Sequence, residues 1–118
     1  MLFLFQLIFL FMTADQPRQV LLFYKNDGEV HLQKQLMEFE KNESGMKERD
    51  IKVFTFKQSS ENEGQFKKWK VKESDTFTFI LIGRDGGEKY RSGSFVSHQD
   101  LFGKIDAMPM RRSEAGKN

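Results

Sequence analysis

The sequence predicts an α/β fold, β-α-β-α-β-β-α, with a four-stranded mixed sheet in the order 2-1-3-4 and helices on both faces. Three observations carry this. The runs VLLFY at 20–24 and FTFILIG at 77–83 are almost continuously apolar, as strands covered on both faces must be, so these two are the central pair. RDGG at 84–87 follows the second run, and Asp-Gly favours the positive φ angles of a hairpin turn. Between the strands, apolar residues recur at helical spacing.

The elements follow in order. After the strand at 20–24, Asn26 or Asp27 is placed to cap a helix, because a short side-chain oxygen accepts from free backbone N–H groups. Leu32, Leu36, Met37 and Phe39 mark that helix's apolar side, and Gly45 is its expected stop. IKVFTF at 51–56 is the second strand, joined by a helical crossover and hence parallel to the first. Ser60 and Glu63 have capping-box spacing for a second helix carrying Phe66 and Trp69. EKYRS at 88–92 completes the hairpin, and its charge suits a sheet edge. Ser97 caps the last helix, with Leu101, Phe102 and Ile105 turned inward and Pro109 as its stop.

The 118 residues suffice for one domain. Leu2–Met12 is apolar except for Gln6, too short to span a bilayer but matching the apolar core of a secretory signal. Residues 1–14 are therefore expected to be a signal peptide cut near Ala14, residues 15–112 the domain, and residues 113–118 a disordered polar tail. The expected location is periplasmic or secreted, with no transmembrane span. Lys and Arg together number 19 against 17 Asp and Glu, a balance that argues against nucleic acid as a partner.

Familiar chemistries find few of their parts here. There is no cysteine, so thiol–disulfide exchange and thiol peroxidase activity are excluded for this chain, as is a cysteine-linked lipid anchor. His31 and His98 are the only histidines; both are read as solvated helix-start residues, and no metal or other cofactor is expected. RSGSF at 91–95 lacks the G-x-S-x-G spacing of a strained nucleophile turn. GRDGGEK at 83–89 lacks the spacing of a phosphate loop. KKWKVK at 67–72 reads as a buried Trp69 on a lysine-rich wet face rather than as a base-stacking site.

Two blocks, FTFILIGRDGGEKYRS at 77–92 and LFGKIDAMPMRR at 101–112, resemble a family of small, mostly bacterial, exported proteins classed as a domain of unknown function. A related domain recurs in animal extracellular proteins with sushi repeats or coiled coils. The resemblance implies a thioredoxin-like fold, export and no established activity. In thioredoxin-like chains the reactive cysteines occupy the break after the first central strand, and a cis-proline precedes the third. Here the break reads KNDGE at 25–29 and the later position reads Asp75, Thr76, Phe77, so a trans bond is expected there.

The candidate binding residues are cationic: Arg84, Lys89 and Arg91 around the hairpin, and Arg111 and Arg112 in the C-terminal block. The last two allow three roles: interaction with the end of the preceding helix, pairing with a carboxylate of the same chain, or a guanidinium fork for a partner beside adaptable methionines. The reading that follows is a non-catalytic module binding a protein or cell-envelope component. The alternative is a small-molecule binder, or a thiol-free enzyme using Arg and Asp side chains.

Overall fold

The computed structural model describes residues 16–116, so the expected signal peptide, 1–14, lies outside the described residues. Its architecture follows from where apolar side chains can be covered. Strand β1 (Arg18–Tyr24) is buried almost throughout, and β3 (Phe77–Ile82) is buried at every position. They pair antiparallel at the sheet centre, while β2 (Ile51–Lys57) runs parallel to β1 and β4 (Glu88–Ser92) antiparallel to β3, giving the order β2-β1-β3-β4.

Alternate residues of the central strands feed two cores. Val20, Leu22, Phe79 and Leu81 meet α1 (Glu29–Lys41), α2 (Glu43–Glu48) and α4 (His98–Asp106) through Leu32, Phe39, Met46, Leu101 and Ile105. Leu21, Phe23, Ile80 and Ile82 meet α3 (Glu63–Lys68) on the other face, with Phe66, Val71 and the half-buried Trp69. Helices therefore lie on both faces, as the sequence predicts. No helix among the described residues is long and apolar enough to cross a membrane.

The hairpin forms as expected: Gly86 has φ +83°, where a side chain would be strained, and Gly83 N–H donates to Gly87 O at 2.9 Å. Ser97 caps α4 by accepting from Asp100 N–H at 3.2 Å.

Several local expectations fail. Neither Asn26 nor Asp27 caps α1: both enter a 3₁₀ turn, Asn26–Gly28, that leads into the helix with no side-chain cap. A second 3₁₀ turn, Ser60–Asn62, likewise displaces the Ser60–Glu63 capping box. Gly45 stops nothing. The break falls at Asn42, and Gly45 sits inside α2 because Phe102 lies where its Cβ would be, 2.5 Å away. Met37 is exposed rather than inward, and Gln35 takes the buried position on that turn. Pro109 does not end the chain's helical content. It opens α5 (Pro109–Gly116), the first-turn position where its fixed φ and missing N–H cost least, so residues 113–116 of the expected tail are helical.

Candidate functional site

In a fold of this topology the loop after β1 is the first place to look for chemistry. Here it is closed. Lys25 N–H donates to Thr76 O at 3.1 Å, and a Cβ on Gly28 would lie 2.2 Å from that same carbonyl oxygen. Glycine is required because two backbone segments touch. No cis peptide bond occurs among the described residues, so the bonds through Asp75, Thr76 and Phe77 are trans. His31 stacks on Phe77 at 5.9 Å between centroids, and the His98 ring nitrogen lies 2.8 Å from Glu38 Oε2. Glu38 also accepts from His98 N–H, and that backbone bond, then the ring contact, holds its carboxyl below the ordinary value. Among the described residues no three acidic or histidine side chains converge to hold a metal ion.

The opposite end of the sheet carries a different arrangement. Arg18, which begins β1, is 1% exposed, and its guanidinium donates to Arg49 O at 2.9 Å and to both Glu114 oxygens at 3.3 and 3.4 Å. Arg84, on the hairpin, donates to Glu114 at 2.7 Å, Asp50 at 3.0 Å and Gln16 O at 3.0 Å. Arg111 donates to Asp106 at 3.1 Å and Glu48 at 3.0 Å, and Arg49 shares Asp106 at 2.9 Å. Four arginines are thus neutralised by carboxylates from α2, α4, α5 and the β2 entry. The Arg49 and Arg111 hydrogen bonds hold the Asp106 carboxyl low against the opposing effect of burial. For Glu114 burial is the largest influence and pushes upward, but Arg18 and Arg84 together outweigh it and the carboxyl is lowered.

Beside this network lies a pocket of ≈ 310 Å³, lined by Met108, Pro109 and Met110, by Gly83, Arg84, Asp85 and Lys89 of the hairpin, and by Arg18. Of these lining residues Lys89 is paired with Asp85 at 2.8 Å, and Met110 is 48% exposed. A smaller, more polar hollow of ≈ 260 Å³ lies by Gln58, Glu63 and Glu73 and presents carboxylates.

The sequence-predicted cations therefore separate. Arg84 and Lys89 come together at the pocket. Arg91 instead pairs with Glu88 at 2.8 Å and donates to the Trp69 carbonyl. Arg111 is 5% exposed and committed to internal carboxylates, the second of its three roles. Arg112 is exposed, one helical position beyond it. Sequence reasoning missed Arg18, whose place at the start of a buried strand is the only signal it gives, and Gln35. The fully buried Gln35 amide donates to Val96 O at 2.8 Å and accepts from Val96 N–H at 2.9 Å, pairing a loop as a strand neighbour would.

Residues 9–114 match a family described as a domain of unknown function (DUF4174). The chain belongs to that family. No curated protein matches it. Among solved structures, the chain is similar to thioredoxin-2 of a malaria parasite, described as a component of its protein secretion machinery (25% identity, 78% of this chain and 84% of that chain, TM-score 0.54). It is similar also to Trxlp from Edwardsiella tarda (20%, 84% and 91%, TM-score 0.55) and to the reduced 2-Cys peroxiredoxin of Plasmodium vivax (14%, 90% and 84%, TM-score 0.64). These likenesses show the fold, which is thioredoxin-like, and the family member described here has no thiol to place in it.

Proposed function

We propose that this domain is an exported, non-catalytic binding module that holds a protein or cell-envelope partner at the pocket between the Gly83–Lys89 turn and Met108–Met110. The pocket carries the reading. Two methionines give an apolar wall able to adapt to a partner's shape, and the Lys89–Asp85 pair adds polar groups beside it. The glycine-tight contact at Thr76, in a loop without cysteine, supports a role apart from thiol chemistry. The apolar run Leu2–Met12 supports export to the periplasm or beyond, in keeping with the resemblance to exported bacterial and animal extracellular proteins.

One observation favours a second reading. At ≈ 310 Å³ the pocket falls at the lower edge of the ~300–1,000 Å³ typical of small-molecule sites, with Arg84 and Asp85 beside it. Capture from the native envelope separates the two. The wild-type chain as bait retains a protein or envelope component, and Met110→Glu loses it without a change in melting temperature, since Met110 is half exposed. Equal capture by both baits refutes the pocket as the contact. No capture, with a thermal shift from a small ligand, favours the second reading.

A further inference from the structure

The two edges of the sheet are built differently. On β4 three of the five residues, Glu88, Lys89 and Arg91, are charged, and the pairing to β3 is irregular at Leu81/Ile82. Charge and irregular twist both discourage a further strand. On β2 the seven residues IKVFTFK pair regularly with β1, contain no proline, and keep charge away from their centre. Phe54, at that centre, is 44% exposed. Among the described residues no strand pairs with the outer edge of β2.

The ladder fixes which groups face outward. Arg18 N–H donates to Asp50 O at 3.0 Å, and Gln58 N–H donates to Tyr24 O at 2.8 Å. In a parallel ladder alternate residues turn both backbone groups to the same neighbour, so positions 52, 54 and 56 face β1. Ile51, Val53, Thr55 and Lys57 present theirs to the free edge.

We propose that two copies of this chain join along β2, antiparallel about a two-fold axis at Phe54, into one continuous eight-stranded sheet. In this register Val53 lies opposite the other copy's Thr55 and Ile51 opposite its Lys57. The outward groups then meet in about eight hydrogen bonds, two for each facing pair. Phe54 meets Phe54 at the axis as a non-hydrogen-bonded pair, where side chains come closest. Lys52 falls opposite Phe56, a cation beside an aromatic ring, and no lysine faces a lysine. The two-fold arrangement thus uses the full strand, covers the exposed phenylalanine and opposes no like charges. An isologous contact of this kind closes at two copies.

The absence of cysteine makes the test clean. In the full chain, Phe54→Cys introduces the only thiol, and the Cα separation of ~4.5 Å expected across the axis lies within the ~4.4–6.8 Å that a disulfide spans. Mild oxidation is expected to cross-link most of this variant as a dimer, while Lys52→Cys, which faces position 56 of the other copy, stays largely unlinked. Sedimentation of the wild type is expected to give twice the monomer mass. Thr55→Pro removes an outward N–H without touching the β1 ladder, and is expected to give a monomer with unchanged circular dichroism. Equal cross-linking at 52 and 54, a monomeric wild type, or linkage of Cys-substituted position 54 only to other proteins overturns the proposal.

Discussion

Replacing Gln35 by Leu removes one side chain that serves two buried backbone groups. Val96 is 3% exposed, and both its N–H and its C=O are satisfied by the Gln35 amide, at 2.9 and 2.8 Å. Leucine matches the volume but makes neither bond. Each orphaned group costs about 1–3 kcal/mol. Two of them cost about 2–6 kcal/mol, reduced by the better transfer of leucine into the core, and a net loss of about 3 kcal/mol is expected. For a domain near 100 residues, each kcal/mol shifts Tm by ~4–8 °C, so the variant should melt more than ten degrees lower. Urea titration with unchanged m-value is the assay. Gln35→Glu adds a pH signature. A carboxylate there faces Val96 O, so burial and that carbonyl raise its folded pKa above the unfolded ~4.3. A group with a raised folded pKa gives its stabilisation below the unfolded value and loses it as pH rises, so Gln35→Glu should be closer to wild type at pH 4 than at pH 7. A Gln35→Leu loss under 0.5 kcal/mol, or a Gln35→Glu variant without pH dependence relative to wild type, would refute the reasoning.

Three more outcomes are expected. Gly28→Ala must push Thr76 O away from the new Cβ and should cost about 1–3 kcal/mol in urea titration, whereas Gly64→Ala, with nothing within 4 Å, should not destabilise. Arg111→Lys loses its two-sided contact with Asp106 and Glu48 and should cost about 1–3 kcal/mol, while the exposed Arg112→Lys leaves Tm unchanged; equal melting of the two would remove Arg111 from the fold. The carboxyls of Asp106 and Glu114 are held low, so the stability they supply is present above their ordinary values of 3.8 and 4.5 and drains away as pH falls below them. Glu114→Gln should flatten that acid limb, as measured by melts from pH 2.5 to 7.

What the sequence made legible was whatever depends on apolar density and local turn chemistry. Runs such as VLLFY and FTFILI announce their central positions because no polar face is left for water, and the order 2-1-3-4 follows. Asp85-Gly86 announced its turn because a positive φ needs glycine. The misses share a different cause. Pro109 is compatible with the end of one helix and with the start of the next, and only the docking of α5 through Arg111 and Glu114 chooses between them. Gln35 reads as a polar helix residue until Val96, 61 residues away in sequence, is brought against it. Of the five candidate cations, the spacing of hairpin and C-terminal block carried no signal that Arg84 and Lys89 would meet Met108–Met110, and nothing in it chose the internal pairing for Arg111 from the three roles open to it. Long-range packing decides such pairs.

The Arg18–Glu114 pair joins residues 96 positions apart, one opening the central strand and the other in the last helix. That has a consequence for the order of events as the chain is made. A ribosome delivers β1 first, yet β1 has no completed surroundings until β2, then β3, and finally α5 have emerged. Its buried guanidinium waits longest of all for its counter-charge. Closing so large a loop carries its entropic cost before the contact repays it, which makes the step late and slow. A chain halted before residue 114 would lack the carboxylate that pairs with the Arg18 guanidinium, and would stay more open to chaperones and proteases than one that carries Glu114.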